Sequence, residues 1–245
     1  MSEQQPKKSN RFRNLVIFAI IVVLFGCYGL SQLGNGSGSS TSSSNNRTSA
    51  NTTRPTSTPV RFDPIRLSGR GDDVVRLDKP DVPAIITLTH SGSSNFVVTS
   101  YDGSGNRIDL LVNEIGSYSG TRPLDFGATE LTERLEIQAD GSWTVLVEPI
   151  SAAKPVRVPT SNTSGQGDMV LLLSGSSPDT AEISHSGESN FVVQAYGSSR
   201  RLLVNEIGNY SGTVIVPQDT LVLEVVADGR WQLAMTGQSG GGLAV

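Results

Sequence analysis

The chain has 245 residues, with 19 Lys/Arg, 23 Asp/Glu, one cysteine and two histidines. Six of the basic residues and one of the acidic ones fall in residues 1–60, which leaves residues 61–245 with 13 basic and 22 acidic groups and a formal charge of −9. One cysteine excludes an internal disulfide and a Cys/His zinc site, and the acidic C-terminal part has the wrong sign for a nucleic-acid footprint.

Residues 1–14 form a polar tail with Lys7, Lys8, Arg11 and Arg13. The run from Leu15 to Leu33 then carries no charge. At about 1.5 Å per residue it reaches roughly 28 Å, enough for a hydrocarbon core, and the basic cluster before it predicts a cytoplasmic N-terminus. A transmembrane helix over 15–33 is therefore expected, with everything after it extracytoplasmic. The same stretch supports a second reading as a lipoprotein signal. It ends in Leu24-Phe25-Gly26-Cys27, which resembles a lipobox and would make Cys27 the lipidation site. Residues 34–60 are almost all Ser, Thr, Asn and Gly with late prolines, a composition that cannot bury a core. They are predicted to be a disordered tether with a reach of roughly 30 Å.

The rest of the chain is duplicated. Residues 90–121, HSGSSNFVVTSYDGSGNRIDLLVNEIGSYSGT, recur as residues 185–213, HSGESNFVVQAYGSSRRLLVNEIGNYSGT. The match continues from Ala139-Asp140-Gly141-Ser142-Trp143 to Ala227-Asp228-Gly229-Arg230-Trp231, and Leu67-Ser68-Gly69 is matched to Leu173-Ser174-Gly175. These pairings set a first module at 62–150, a linker at 151–167, a second module at 168–236 and a flexible Gly-rich tail at 237–245.

Each copy reads as short strands, alternating in polarity and punctuated by Gly, Asn, Asp and Ser. Ile86, Leu88 and His90 share one face, as do Ala181, Ile183 and His185. Phe96 and Val98 correspond to Phe191 and Val193. Leu110–Val112 and Leu202–Val204 are apolar on both faces and predict a central strand. Asp140-Gly141 and Asp228-Gly229 predict two-residue type I′ hairpins, and Trp143 and Trp231 are the bulkiest core candidates. The expected fold class is all-β: two tandem small antiparallel β-sandwich modules behind one N-terminal membrane helix and a disordered linker.

The motifs H-S-G-x-x-N-F-V-V, L-L-V-N-E-I-G-x-Y-S-G-T and A-D-G-x-W resemble a β-sandwich module of uncharacterised bacterial membrane-anchored envelope proteins. More distantly, the arrangement is similar to bacterial pre-peptidase C-terminal domains, although the Asp-x-Asp-Leu-Tyr motif of those domains is absent. The resemblance implies a bacterial, extracytoplasmic, accessory or binding role and supplies no activity.

Candidate chemistry is sparse. Ser91 and Ser186 adjoin His90 and His185, but strand neighbours point to opposite faces, so neither pair is a catalytic dyad. The histidines are expected to be buried or at the rim, bonding to main chain. Asn113, Glu114 and Tyr118, with Asn205, Glu206 and Tyr210, are the candidate ligand-binding residues. The competing reading makes Asn-Glu-Ile-Gly a turn and lets the tyrosines pack. Asp102–Asn106 is expected to be a hairpin tip, since a calcium loop requires a glycine where Arg107 stands. Arg70-Gly71-Asp72 reads as an ordinary turn. No catalytic residue, metal, cofactor or nucleic-acid partner is expected. The function expected is non-catalytic: adhesion or ligand and partner binding, with an envelope protein or glycan as partner, or else a purely structural role in envelope assembly.

Overall fold

The computed structural model describes residues 61–237. The expected membrane segment 15–33, Cys27, the tether and the tail from residue 238 lie outside the described residues. Among the described residues no helix is long and apolar enough to cross a membrane.

The fold is all-β. The first repeat consists of β1 (Ile65–Arg70), β2 (Asp73–Arg76), β3 (Ala84–Ser91), β4 (Asn95–Tyr101), β5 (Arg107–Ile115), β6 (Tyr118–Leu124), β7 (Arg134–Ala139) and β8 (Ser142–Pro149). These make two four-stranded sheets, in the orders β1-β8-β3-β6 and β2-β7-β4-β5. A 3-10 turn, Ile150–Ala152, leads to β9 (Lys154–Val158), β10 (Thr160–Gln166), β11 (Met169–Gly175), β12 (Pro178–Ser186), β13 (Asn190–Tyr196), β14 (Arg200–Ile207), β15 (Tyr210–Ile215), β16 (Val222–Ala227) and β17 (Arg230–Gly237). The orders here are β10-β17-β12-β15 and β14-β13-β16-β11-β9. Strand for strand, β10 to β17 repeat β1 to β8. Among the described residues β9 has no counterpart in the first repeat; it pairs in parallel with β11 while the other pairings are antiparallel.

Alternation places the cores as the sequence suggests. Ile86, Leu88 and His90 from one sheet meet Phe96, Val98 and Ile137 from the other, with Trp143 1% exposed among them. Ala181, Ile183, Phe191, Val193 and Trp231 repeat the arrangement. Burying such side chains stabilises a fold by about 1.5–3 kcal/mol each relative to exposure.

Four expectations are corrected by the strand pairing. Asp140-Gly141 does not close a hairpin, because β7 pairs with β2 and β4 whereas β8 pairs with β1 and β3. The dipeptide crosses between sheets, and Asp228-Gly229 does the same. Leu110–Val112 lies in β5, an edge strand, not a central one. Its double apolarity comes from a bulge: Val98 faces Val112 and Thr99 faces Leu110, so Leu111 is extra and both Leu111 and Val112 are buried. The second repeat has the same irregularity between Val193 and Gln194.

The stretch 151–167 is also not merely a connection, since it contains β9 and β10, which pair with β11 and β17. Leu67-Ser68-Gly69 therefore corresponds to Thr163-Ser164-Gly165, not to Leu173-Ser174-Gly175. The physical marker is the tryptophan: a Cβ at Gly69 or at Gly165 would fall on the Trp143 or Trp231 ring. In this register Pro59-Val60-Arg61 matches Pro155-Val156-Arg157 without a gap, so the duplication begins upstream of residue 62.

Candidate functional site

The shared motifs build one device twice. His90 Nδ1 donates to the Gly116 carbonyl at 2.7 Å, and His185 Nδ1 to that of Gly208 at 2.8 Å. Both glycines have positive φ, +92° and +84°, which aims the carbonyl at the imidazole and disfavours a side chain there. Each ring stacks on a phenylalanine, Phe96 at 4.6 Å and Phe191 at 4.3 Å. Nε2 lies 3.3 Å from an Asp140 oxygen, or from Asp228 in the second repeat. Nδ1 of each ring is thus bonded to main chain, while Nε2 is buried beside the aspartate without a hydrogen-bond partner among the described residues.

Asp140 ties this device to a loop. Its carboxylate accepts from the Ser93 and Ser94 amides and the Ser93 hydroxyl. The Ser93 amide, foremost among these donors, holds the Asp140 carboxyl below its ordinary value. Asp228 accepts equivalently from the Glu188 and Ser189 amides. The hairpin tip also behaves as expected, with Asp102 accepting from the Asn106 amide and side chain at 2.7 and 2.9 Å.

The six candidate binding residues separate. Asn113 and Glu114 lie inside β5, opposite Val97 and Phe96, and the turn begins only at Gly116. Asn205 and Glu206 occupy the matching places in β14, opposite Val192 and Phe191. All four are exposed. Tyr118 and Tyr210 tilt against Phe96 and Phe191 at 5.8 and 5.7 Å. Each hydroxyl lies where a Cβ of Gly120 or Gly212 would be, so Tyr-Ser-Gly-Thr is a packing motif in which the ring lies along its own strand.

The tyrosines then part company. Tyr118 donates to Asp168 Oδ2 at 2.7 Å, whereas Tyr210 sits at an edge with no such turn against it among the described residues. Around Asp168 is a polar cluster that the sequence reading missed. Arg122 Nη1 approaches Asp168 Oδ2 at 3.3 Å, and its Nε lies 2.8 Å from Glu224 Oε1. Tyr196 donates to Glu224 Oε2 at 2.6 Å, the Ala227 amide to Asp168 Oδ1 at 2.9 Å, and the Thr121 amide to the Asp168 carbonyl at 3.1 Å.

Beside these groups Ile85, Ala153, Val170, Tyr196 and Val222 form an apolar cluster, with Phe126, Ile150 and Leu172 packed on it. This is the seam between the repeats. The β6 edge of the first meets the β11–β16 face of the second.

Burial drives the Tyr118 hydroxyl well above the ordinary tyrosine range, and Asp168 adds to it. Burial and then Glu224 do the same to Tyr196. For Arg122, burial acts to lower the pKa, but Glu224 and Asp168 outweigh it and hold the guanidinium charged. Glu114 is exposed but borders the seam, where desolvation first and Asp168 second raise its carboxyl. A signal for the seam did exist in the sequence: Arg122 aligns with Val214, and Val170, Leu172 and Val222 align with Val74, Arg76 and Arg134. The copies differ where one is covered.

Among the described residues no group of three or more His, Cys, Asp or Glu is arranged to hold a metal ion. No protein-family model matches this sequence, and no curated protein matches it either.

Proposed function

We propose that the protein is a membrane-anchored, extracytoplasmic component of a bacterial envelope that presents two β-sandwich modules for adhesion or partner binding and performs no catalysis. The observation that carries this reading is the order of segments: a basic tail, a charge-free run of membrane length, a Ser/Thr/Asn-rich stretch and an acidic β repeat. The use of the most specific shared residues supports a scaffold over an enzyme. His90, Gly116 and Asp140, with their counterparts, hold strands and loops together.

The seam changes what kind of scaffold is proposed. A buried Arg122–Asp168–Glu224 cluster argues for two modules acting as one presenting body, rather than as two independently tethered hands gaining avidity through a flexible link. The partner proposed is an envelope protein or a glycan.

Protease added to intact cells and to inverted vesicles tests the topology. Digestion of the 61–237 region from outside alone supports the reading, and digestion only from the cytoplasmic side overturns it. Titration of the detergent-solubilised full chain with purified envelope glycans and with cross-linked envelope fractions then separates a glycan ligand from a protein partner. The lipid-anchor variant of the same proposal is read from intact mass: loss of residues 1–26 with added acyl mass, abolished by Cys27→Ala, places the anchor at Cys27.

A further inference from the structure

The seam joins unlike faces of two equivalent folds, so among the described residues each repeat leaves the other face of that pair unused. In the first repeat the β2–β7 face matches the β11–β16 face that β6 covers. In the second repeat the β15 edge matches β6. We propose that the protein associates with copies of itself head to tail, the β15 edge of one copy docking on the β2–β7 face of the next. The contact within the chain is the template for the contact between chains.

The open face keeps the machinery of the covered one. Asp72 Oδ1 accepts from the Ala139 amide at 2.9 Å, as Asp168 Oδ1 does from Ala227 at 2.9 Å. Tyr101 donates to Glu136 at 2.6 Å, as Tyr196 does to Glu224 at 2.6 Å. Gly71 and Gly167 make the same positive-φ turn, at +74° and +69°. Both turns thus present an aspartate carbonyl, and that of Asp168 receives the Thr121 amide of β6. The β15 residue equivalent to Thr121 is Thr213, on an edge with no strand paired outside it among the described residues.

The apolar residues point the same way. Val170 is 1% exposed at the seam, while its equivalent Val74 is 63% exposed. Pro123 is buried, whereas its register equivalent Ile215, across from Thr180 as Pro123 is across from Ile85, is 79% exposed. One uncovered aliphatic side chain therefore lies on each of the two unused faces.

The charges have exchanged sides without being lost. Arg122 is replaced on the β15 edge by Val214, so a docking β15 brings no cation. On the receiving face Leu172 and Val222 are replaced by Arg76 and Arg134, a cross-strand pair beside the Val74–Glu136 pair. The receiving sheet supplies its own cations next to Glu136 and suits an apolar partner strand. That fits β15 better than it fits a second β6, and it commits the occupant to another copy of this chain. Contact between unlike faces continues from copy to copy unless its rotation closes a ring, so the product is a chain of molecules or a ring, not an isologous dimer.

Cysteine trapping in the detergent-solubilised full chain tests this. Val74→Cys and Thr180→Cys occupy the positions equivalent to Val170 and Ile85, which share one buried cluster. Under mild oxidation, a mixture of the two single variants is expected to yield a covalent two-chain species well above the Cys27 background, with neither variant doing so alone. A chain carrying both substitutions is expected to yield a ladder. Ile215→Glu, an exposed change, is expected to abolish the ladder and shift sedimentation to single chains while leaving the unfolding midpoint unchanged. The proposal is overturned if the mixture cross-links no faster than the Cys27 background, if Val74→Cys alone cross-links as efficiently as the mixture, or if Ile215→Glu leaves the ladder intact.

Discussion

Asp72 and Asp168 stand in equivalent turns, accept from equivalent alanine amides and sit beside equivalent tyrosine–glutamate pairs, yet among the described residues one of the two turns is roofed by the other repeat and the other is not. Local structure is the same in both places. What differs is the outward set of side chains, aliphatic where the face is covered (Val170, Leu172, Val222) and charged at two of three places where it is open (Val74, Arg76, Arg134). Duplication thus copied the fold and left the surface to diverge according to what lies against it. The buried Arg122 cluster is the sharpest product of that divergence, because a guanidinium taken out of water is tolerated only with carboxylates around it.

Replacing the tryptophan in either repeat is the largest expected effect and the control for the comparison. Trp143→Ala and Trp231→Ala should each cost about 3–5 kcal/mol, since both rings lie in equivalent cores; denaturant titration reads it, and a loss below about 1 kcal/mol would contradict the shared core. Next comes the seam. Arg122→Met strands Asp168 and Glu224 and should cost about 3–5 kcal/mol, while Val214→Met at the equivalent half-buried position, where no carboxylate pair is stranded, should cost less than about 1.5 kcal/mol. Equal costs would mean that the covered and open faces are energetically alike.

The tyrosine hydroxyls sharpen the contrast on a smaller scale. Tyr196→Phe removes a donor from buried Glu224 and should cost about 1–3 kcal/mol. Tyr101→Phe, beside the more exposed Glu136, should cost less than half as much in the same titration.

The smallest effect is set by pH. Asp140 has a folded pKa below its ordinary value, so its contribution is present above that value and is lost as pH falls through the folded pKa. Thermal midpoints should therefore fall below about pH 4. Asp140→Asn should flatten part of that dependence, and an unchanged acid limb would show that the Ser93 and Ser94 contacts are not what stabilises the loop.

Much of the fold could be read from the chain. The polarity of β3 and β12, the buried Trp143 and Trp231, the main-chain partner of each histidine and the hairpin tip at Asp102 all follow from period-two alternation or from side-chain reach. Asp140-Gly141 misled because a short Asp-Gly connection permits a hairpin but does not require one; strand partners several tens of residues away decide. Leu110–Val112 misled because a bulge turns two neighbours inward, which apolarity alone also predicts for a strand covered on both sides. In sequence Glu114 and Tyr118 are equivalent to Glu206 and Tyr210, and the seam makes them unequal.

The sequence by itself determined the duplication, the all-β alternation and which residues recur, since these depend on neighbours within one strand or on comparing one copy with the other. The tertiary structure alone decided which sheet each strand joins and which copy of a face is covered. Those outcomes depend on contacts between residues far apart in the chain, and the differences that mark the covered face, such as Leu172 where the first repeat has Arg76, do not by themselves say what lies against it.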